Sequence, residues 1–130
     1  MIPDRRGSVI VVDDEPLVRR LLTRMLGEEG FAVTPAGCGA EALSLLVDRA
    51  DVVVLDMRLP DLSGPDVARQ ARQRWPDLPI LFISAYPEPA LRIGAAADLI
   101  EAFLPKPFTR EQLVDAVLRL LPASLGGGCR

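Results

Sequence analysis

The sequence predicts an α/β domain: five parallel strands, each followed by a helix, wound as (βα)5 with helices on both faces of one sheet. Three observations predict it. Short apolar runs alternate along the chain with stretches in which apolar residues recur every three to four positions. The runs VIVV (9–12), DVVVLD (51–56) and PILFIS (79–84) are apolar on both faces, as strands covered by helices on two sides must be. With 130 residues, 49% of them hydrophobic, the chain is one ordinary domain with enough apolar mass for a real core.

The elements follow in order. VIVV opens the sheet and runs into Asp13, Asp14, Glu15 and Pro16. A helix comes next: Leu17, Val18, Leu21, Leu22, Met25 and Leu26 form its apolar stripe, with Arg19, Arg20, Arg24 and Glu28 opposite and Gly30 as its stop. FAVTP (31–35) is the second strand, and Ala42, Leu43, Leu46 and Val47 stripe the second helix. After DVVVLD, the third helix presents Val67, Ala68, Ala71 and Trp75 amid Arg69, Arg72 and Arg74, and Pro76 ends it. PILFIS is followed by a short helix within 89–98, weakened by Gly94. AFLP (102–105) is the fifth strand. Thr109 and Gln112 then form a capping box for a last helix striped by Leu113, Ala116, Val117, Leu120 and Leu121. Residues 1–8 read as an N-terminal extension, 9–121 as the domain, and the glycine-rich 122–130 as a disordered tail or linker stub.

Charge and composition exclude several classes. A net charge of −3 argues against a DNA-binding surface on this domain. No apolar run reaches the roughly 18 residues of a membrane span, and MIPDRRGS lacks the apolar centre of a signal peptide. Cys38 and Cys129 lack metal-ligand spacing, there is no histidine, and no pattern pairs them in a disulfide. The expectation is a soluble, reduced, cytoplasmic protein. All but one of the 15 basic residues are arginine; the exception is Lys106, in FLPKPF.

Right-handed crossovers leave few arrangements for five such strands. The common one is the flavodoxin-like order 2-1-3-4-5, whose crevice lies at the carboxyl ends of strands one and three. Asp13 and Asp14 end strand one, Asp56 ends strand three, Ser84 ends strand four, and Lys106 follows strand five. Strand two ends on Pro35, Ala36 and Gly37, with nothing ionisable. Each residue has an ordinary reading: helix caps for the acid pair, turn chemistry for Asp56 and Ser84, a surface cation for Lys106. Their coincidence at the crevice favours a site. Adjacent carboxylates repel by roughly 4 kcal/mol at 4 Å and an effective dielectric of about 20, so three together call for a cation. Hard oxygen ligands in a hydrated site favour Mg²⁺. A divalent ion beside a carboxylate, a hydroxyl and an ammonium is what phosphoryl transfer onto Asp requires. Asp56, standing alone, is the natural acceptor, and the acid pair is better placed to hold metal.

VVDDEP (11–16), VVLDMRLPDLSG (53–64), FISAY (82–86) and FLPKPF (103–108) together resemble the receiver domain of two-component signalling, the CheY-like phosphoacceptor module of bacterial response regulators. The likeness spans residues 9 to about 121 and extends to the terminal receivers of hybrid sensor kinases. It implies that Asp56 is phosphorylated and that Asp13 or Asp14, with Asp56 and the backbone carbonyl of Arg58, binds Mg²⁺. It further implies that Lys106 and Ser84 contact the phosphoryl oxygens and that the Lys106–Pro107 bond is cis. Phe103 stands where the family's aromatic switch residue, often Tyr, sits; the phenolic hydroxyl is missing. Arg58 and Tyr86, each two residues past a site residue, flank the path of an attacking water and are expected to tune the acyl phosphate's lifetime. The implied partners are a sensor histidine kinase or histidine phosphotransfer protein, a downstream output protein or domain, and a second copy of this domain. Two rivals stand beside this reading. A haloacid-dehalogenase-type phosphatase would need an Asp two residues after the nucleophile, where this chain has Arg58. A receiver-like module could also bind partners without phosphorylation.

Overall fold

The computed structural model describes residues 6–85 and 102–121. The short helix expected within 89–98, Tyr86, Cys129 and the tail from 122 lie outside the described residues. Five strands, β1 (Ser8–Val12), β2 (Ala32–Ala36), β3 (Val52–Asp56), β4 (Ile80–Ser84) and β5 (Phe103–Pro105), form one sheet. All neighbours are parallel and the order is β2-β1-β3-β4-β5, as the alternation of elements predicts. The described helices are α1 (Pro16–Glu28), α2 (Gly39–Leu45), α3 (Gly64–Arg74) and α4 (Arg110–Leu120).

The pleat sends successive side chains to opposite faces, which is why the central strands are apolar on both faces. Val9, Val11, Val52, Val54, Leu81 and Ile83 face α1 and α4, packing with Leu22, Leu26, Leu113 and Val117. Ile10, Val12, Val53, Leu55, Ile80 and Phe82 face the other way, onto Ala42, Val67, Ala68 and Ala71 of α2 and α3. Burying each such aliphatic side chain contributes about 1.5–3 kcal/mol. Val52, Val53, Val54 and Leu55 of β3 together therefore outweigh the roughly 4 kcal/mol by which two carboxylates repel at 4 Å in a dielectric of about 20. The core can hold acids against one another at the sheet's edge.

The helices start and stop for different local reasons. The first turn of α1 has Pro16 at its head, where a missing N–H costs nothing. The acids before it do not cap it: the Glu15 side chain makes no cap bond, and Asp13 Oδ1 accepts from the Glu15 amide at 2.9 Å instead. Gly30 ends the segment with φ 99°, a conformation costly for any residue with a Cβ. Ser63 caps α3 by accepting from the Asp66 amide, and acid at the head and arginines in the last turn suit the helix dipole. The Thr109–Gln112 capping box on α4 has both reciprocal bonds. The apolar stripes, however, are wider than the buried faces. Leu17, Leu21 and Val47 are 77%, 50% and 56% exposed. α1 shares its sheet face with α4, which leaves room to bury Leu22 and Leu26 fully but not the flank carrying Leu17 and Leu21. No helix among the described residues is long and apolar enough to cross a membrane.

Candidate functional site

Strand register assembles the site. Val12 is paired with Leu55, so the next residues, Asp13 and Asp56, leave the sheet side by side. Asp56 is paired with Ile83, which brings Ser84 one step further along. Ser84 is paired with Pro105, and the Lys106 amide donates to the Ser84 carbonyl at 2.7 Å. The Lys106–Pro107 bond is cis. Residues far apart in sequence thus meet because four strands end in step.

One carboxylate oxygen from each of Asp13, Asp14 and Asp56 lies within 4.8 Å of the others. Asp13 is wholly buried, Asp56 nearly so, and Asp14 is exposed. The Lys106 ammonium reaches both buried acids, donating to Asp13 Oδ2 at 2.9 Å and to Asp56 Oδ2 at 3.3 Å. Asp56 Oδ1 accepts from the Arg58 amide at 3.1 Å. Burial pushes the Asp56 carboxyl above its ordinary range, assisted by the Asp13 charge and opposed by the Arg58 amide and Lys106. Lys106 is also raised: burial alone would lower it, but the bond to Asp13 and the charges of both acids outweigh that cost. An all-oxygen donor set this close, with two members out of water, fits a hard divalent cation.

A cleft of about 300 Å³ opens over these groups, lined by Asp14, Glu15, Asp56, Arg58, Ser84, Ala85 and Lys106. The expected residues Asp13, Asp14, Asp56, Arg58, Ser84 and Lys106 therefore come together. Phe103 stands apart, half-buried on β5 opposite Phe82 and packed against the core under α2 and α3. Two residues without a sequence-level role attach to the site from outside. Arg19 Nη1 donates to the Asp13 carbonyl at 2.7 Å, and Asp61 accepts from the Gly39 and Ala40 amides at 2.8 Å each. Both amide bonds hold the Asp61 carboxyl below its ordinary value. Neither contact has a local signature, since Arg19 reads as a solvated helix face and Asp61 lies 21 residues from Ala40.

A doubly wound sheet with acids, hydroxyl and ammonium gathered at its β1/β3 switch point has a polar site where sheets of this kind bind their ligands. The family model for the response regulator receiver domain matches residues 9–118, and the chain belongs to that family. It is 41% identical over 114 residues to the response regulator MprA of Mycolicibacterium vanbaalenii, covering 87% of this chain and 49% of that one. It is 37% identical over 118 residues to the sensor kinase CckA of Brucella abortus, covering 88% of this chain and 12% of that one. The chain thus spans about half the length of MprA and a small part of CckA. Among solved structures, the response regulator TrrA of Thermotoga maritima, in complex with Mg²⁺–BeF, superposes with a TM-score of 0.79 at 34% identity. That likeness covers 88% of this chain and 98% of TrrA.

Proposed function

We propose that this receiver domain takes a phosphoryl group onto Asp56 from the phosphohistidine of a sensor kinase or phosphotransfer protein, in a Mg²⁺-dependent reaction. The phosphorylated form then presents a changed surface to an output protein, an output domain or a second copy of itself. The observation that carries this reading is the single ammonium of Lys106 held between two buried carboxylates, Asp13 and Asp56. Such an arrangement is a poor way to stabilise a fold, because desolvation offsets much of the attraction. It is a good way to receive three anionic oxygens.

Asp13, Asp14, Asp56 and the Arg58 backbone carbonyl would hold the ion, and when bound it supplies charge neutralisation and orientation for the incoming phosphoryl group. Asp56 acts as an ionised carboxylate: one oxygen forms the new P–O bond while the donor's P–N bond breaks and the imidazole nitrogen leaves. Lys106 favours the ionised form of Asp56 against its burial and afterwards pairs with the phosphoryl oxygens; the Ser84 hydroxyl donates to another. Hydrolysis reverses the gain when water attacks phosphorus and the Asp56 carboxylate leaves; Arg58, which lines the cleft, is placed to tune its rate. The domain catalyses its own phosphorylation and dephosphorylation and no separate reaction, and its place is the cytoplasm, with its donors. MprA and CckA, a response regulator and a sensor kinase, support both a regulator and a kinase-borne setting.

Acetyl phosphate with Mg²⁺ should add one phosphoryl group by intact mass, and chelation should prevent it. Asp56→Asn should take up none. Labelling of Asp56→Asn at the wild-type rate would place the acceptor elsewhere. Absence of labelling in the wild type would favour the unphosphorylated interaction module, and steady release of phosphate from many donors the phosphatase.

A further inference from the structure

The β2–α2 turn, residues 36–40, brings no acidic or basic side chain to the sheet's edge, yet both sides of the acid cleft are fastened to it. On one side, the Asp13 amide donates to the Ala36 carbonyl at 3.1 Å. Arg19 Nη1 donates to the Asp13 carbonyl at 2.7 Å and lies against Gly37, where an added Cβ would stand 3.1 Å from it. On the other side, Asp61 grips the Gly39 and Ala40 amides, one with each carboxylate oxygen. Asp61 belongs to the loop that carries Arg58, and that loop is closed on itself. Arg58 bridges to Ser63, and the Gly64 amide donates to the Met57 carbonyl at 2.8 Å. The turn also presses directly on this loop and α3: a Cβ on Gly39 would meet Leu62 and Val67 at 2.9 Å.

We infer that the β2–α2 turn is a brace that sets the separation between the Asp13–Asp14 acids and the Asp56–Arg58 loop, with Arg19 and Asp61 as positioning residues for metal binding. The inference rests on the proposed Mg²⁺ site. A metal tolerates donor displacements of only about 0.2 Å, and the donors here come from two loops on different strands. The strands fix where those loops begin; only contacts beyond the sheet fix where they end. Both loops reach the same five-residue turn, through contacts that touch no ligand atom. Losing outer partners of metal ligands weakens binding by about ten- to a hundredfold.

The test is a Mg²⁺ titration followed by amide NMR shifts of Glu15, Asp56 and Met57. It is run on the wild type, Asp61→Ala, Asp61→Asn, Arg19→Ala and Arg19→Lys. Both alanine variants should bind on the order of tenfold more weakly. Asp61→Asn, which keeps one acceptor oxygen, should fall between, and Arg19→Lys, which can still donate to the Asp13 carbonyl, should recover most of the loss. Amide exchange on the metal-free proteins reads the brace without the ion. Asp61→Ala should speed exchange at Glu15, across the cleft from the substitution, and Arg19→Ala should speed it at Gly39 and Ala40. Variants that melt lower but bind Mg²⁺ with the wild-type constant would overturn the brace and leave Asp61 a remote helix cap. If Asp61→Ala does not fold, Asp61→Asn and Arg19→Lys decide by the same criterion. Cross-cleft exchange effects in a protein that binds no Mg²⁺ would uphold the brace and overturn the phosphotransfer reading.

Discussion

Asp56 carries a cost that the rest of the domain meets. Its carboxyl is raised above its ordinary 3.8, first by desolvation and then by the Asp13 charge. The sign of the consequence follows from linkage. A carboxyl that binds its proton more tightly folded than unfolded stabilises the fold only where it is protonated. That contribution is complete below about pH 3.8 and is lost as pH rises through the folded value. At pH 7 in chelator, Asp56→Asn should therefore melt at a higher temperature than the wild type, and the difference should vanish in acid. Mg²⁺ should reverse the order, because the wild type gains a ligand and the variant has lost a donor. A wild type more stable than Asp56→Asn at pH 7 without metal would mean that Lys106 over-compensates the burial. The acids themselves were legible in the sequence, since they follow β1 and β3 directly. The division of labour between Asp13 and Asp14 was not. The pleat sends Asp13 inward to Lys106 and leaves Asp14 in water, and that depends on the tertiary position of the strand end.

Helix ends show which local signals carry through to structure. The capping box of α4 and the Pro16 start of α1 lie within one turn of the residues they serve, so sequence spacing reveals them. α2 has no such signal. Its N-cap, Cys38, makes no side-chain bond, and Asp61 supplies the cap from another loop. The loop from Met57 to Gly64 was legible as part of the VVLDMRLPDLSG motif, but how tightly its last residue is constrained was not. A Cβ on Gly64 would stand 2.6 Å from the Asp56 carbonyl oxygen and 2.9 Å from Met57 Cα, both of them backbone atoms that cannot swing aside. Glycine is needed there for close approach, not for an unusual backbone angle. Gly64→Ala should destabilise the domain by about 1–3 kcal/mol, the usual range for overpacking, and should displace the loop that presents Arg58. Urea unfolding reads the first effect, and a weaker Mg²⁺-induced rise in melting temperature reads the second. Wild-type values for both would show that the loop yields without consequence.

At the scale of the whole molecule, one sheet carries both the acid cleft and the face around β5. Strand order and the double-sided core were legible because β1, β3 and β4 carry apolar residues on both faces, which a sheet covered by helices on both sides requires. A coupling between cleft and face would run through β5, three residues long and at the edge. Its carboxyl end is tied to the cleft: Pro105 is paired with Ser84, and Lys106 holds both buried acids. Two residues earlier, Phe103 lies half-buried beside a depression lined by Leu81, Ala102, Ala116, Arg119 and Leu120. A phosphoryl group on Asp56 that drew Ser84 and Lys106 toward it would pull on one end of this three-residue strand. Phe103, with no hydroxyl to hold it at the surface, can follow by burying more of its ring. Such an arrangement would form a two-state element biased by a local charge. Beryllofluoride with Mg²⁺ should therefore shift amides from Ala102 through Ala116 as well as those around Asp56. Phe103→Ala should leave the cleft shifts in place and diminish those on β5 and α4. Shifts confined to residues 13–15 and 56–64 in the wild type would show that the cleft and this face are not coupled.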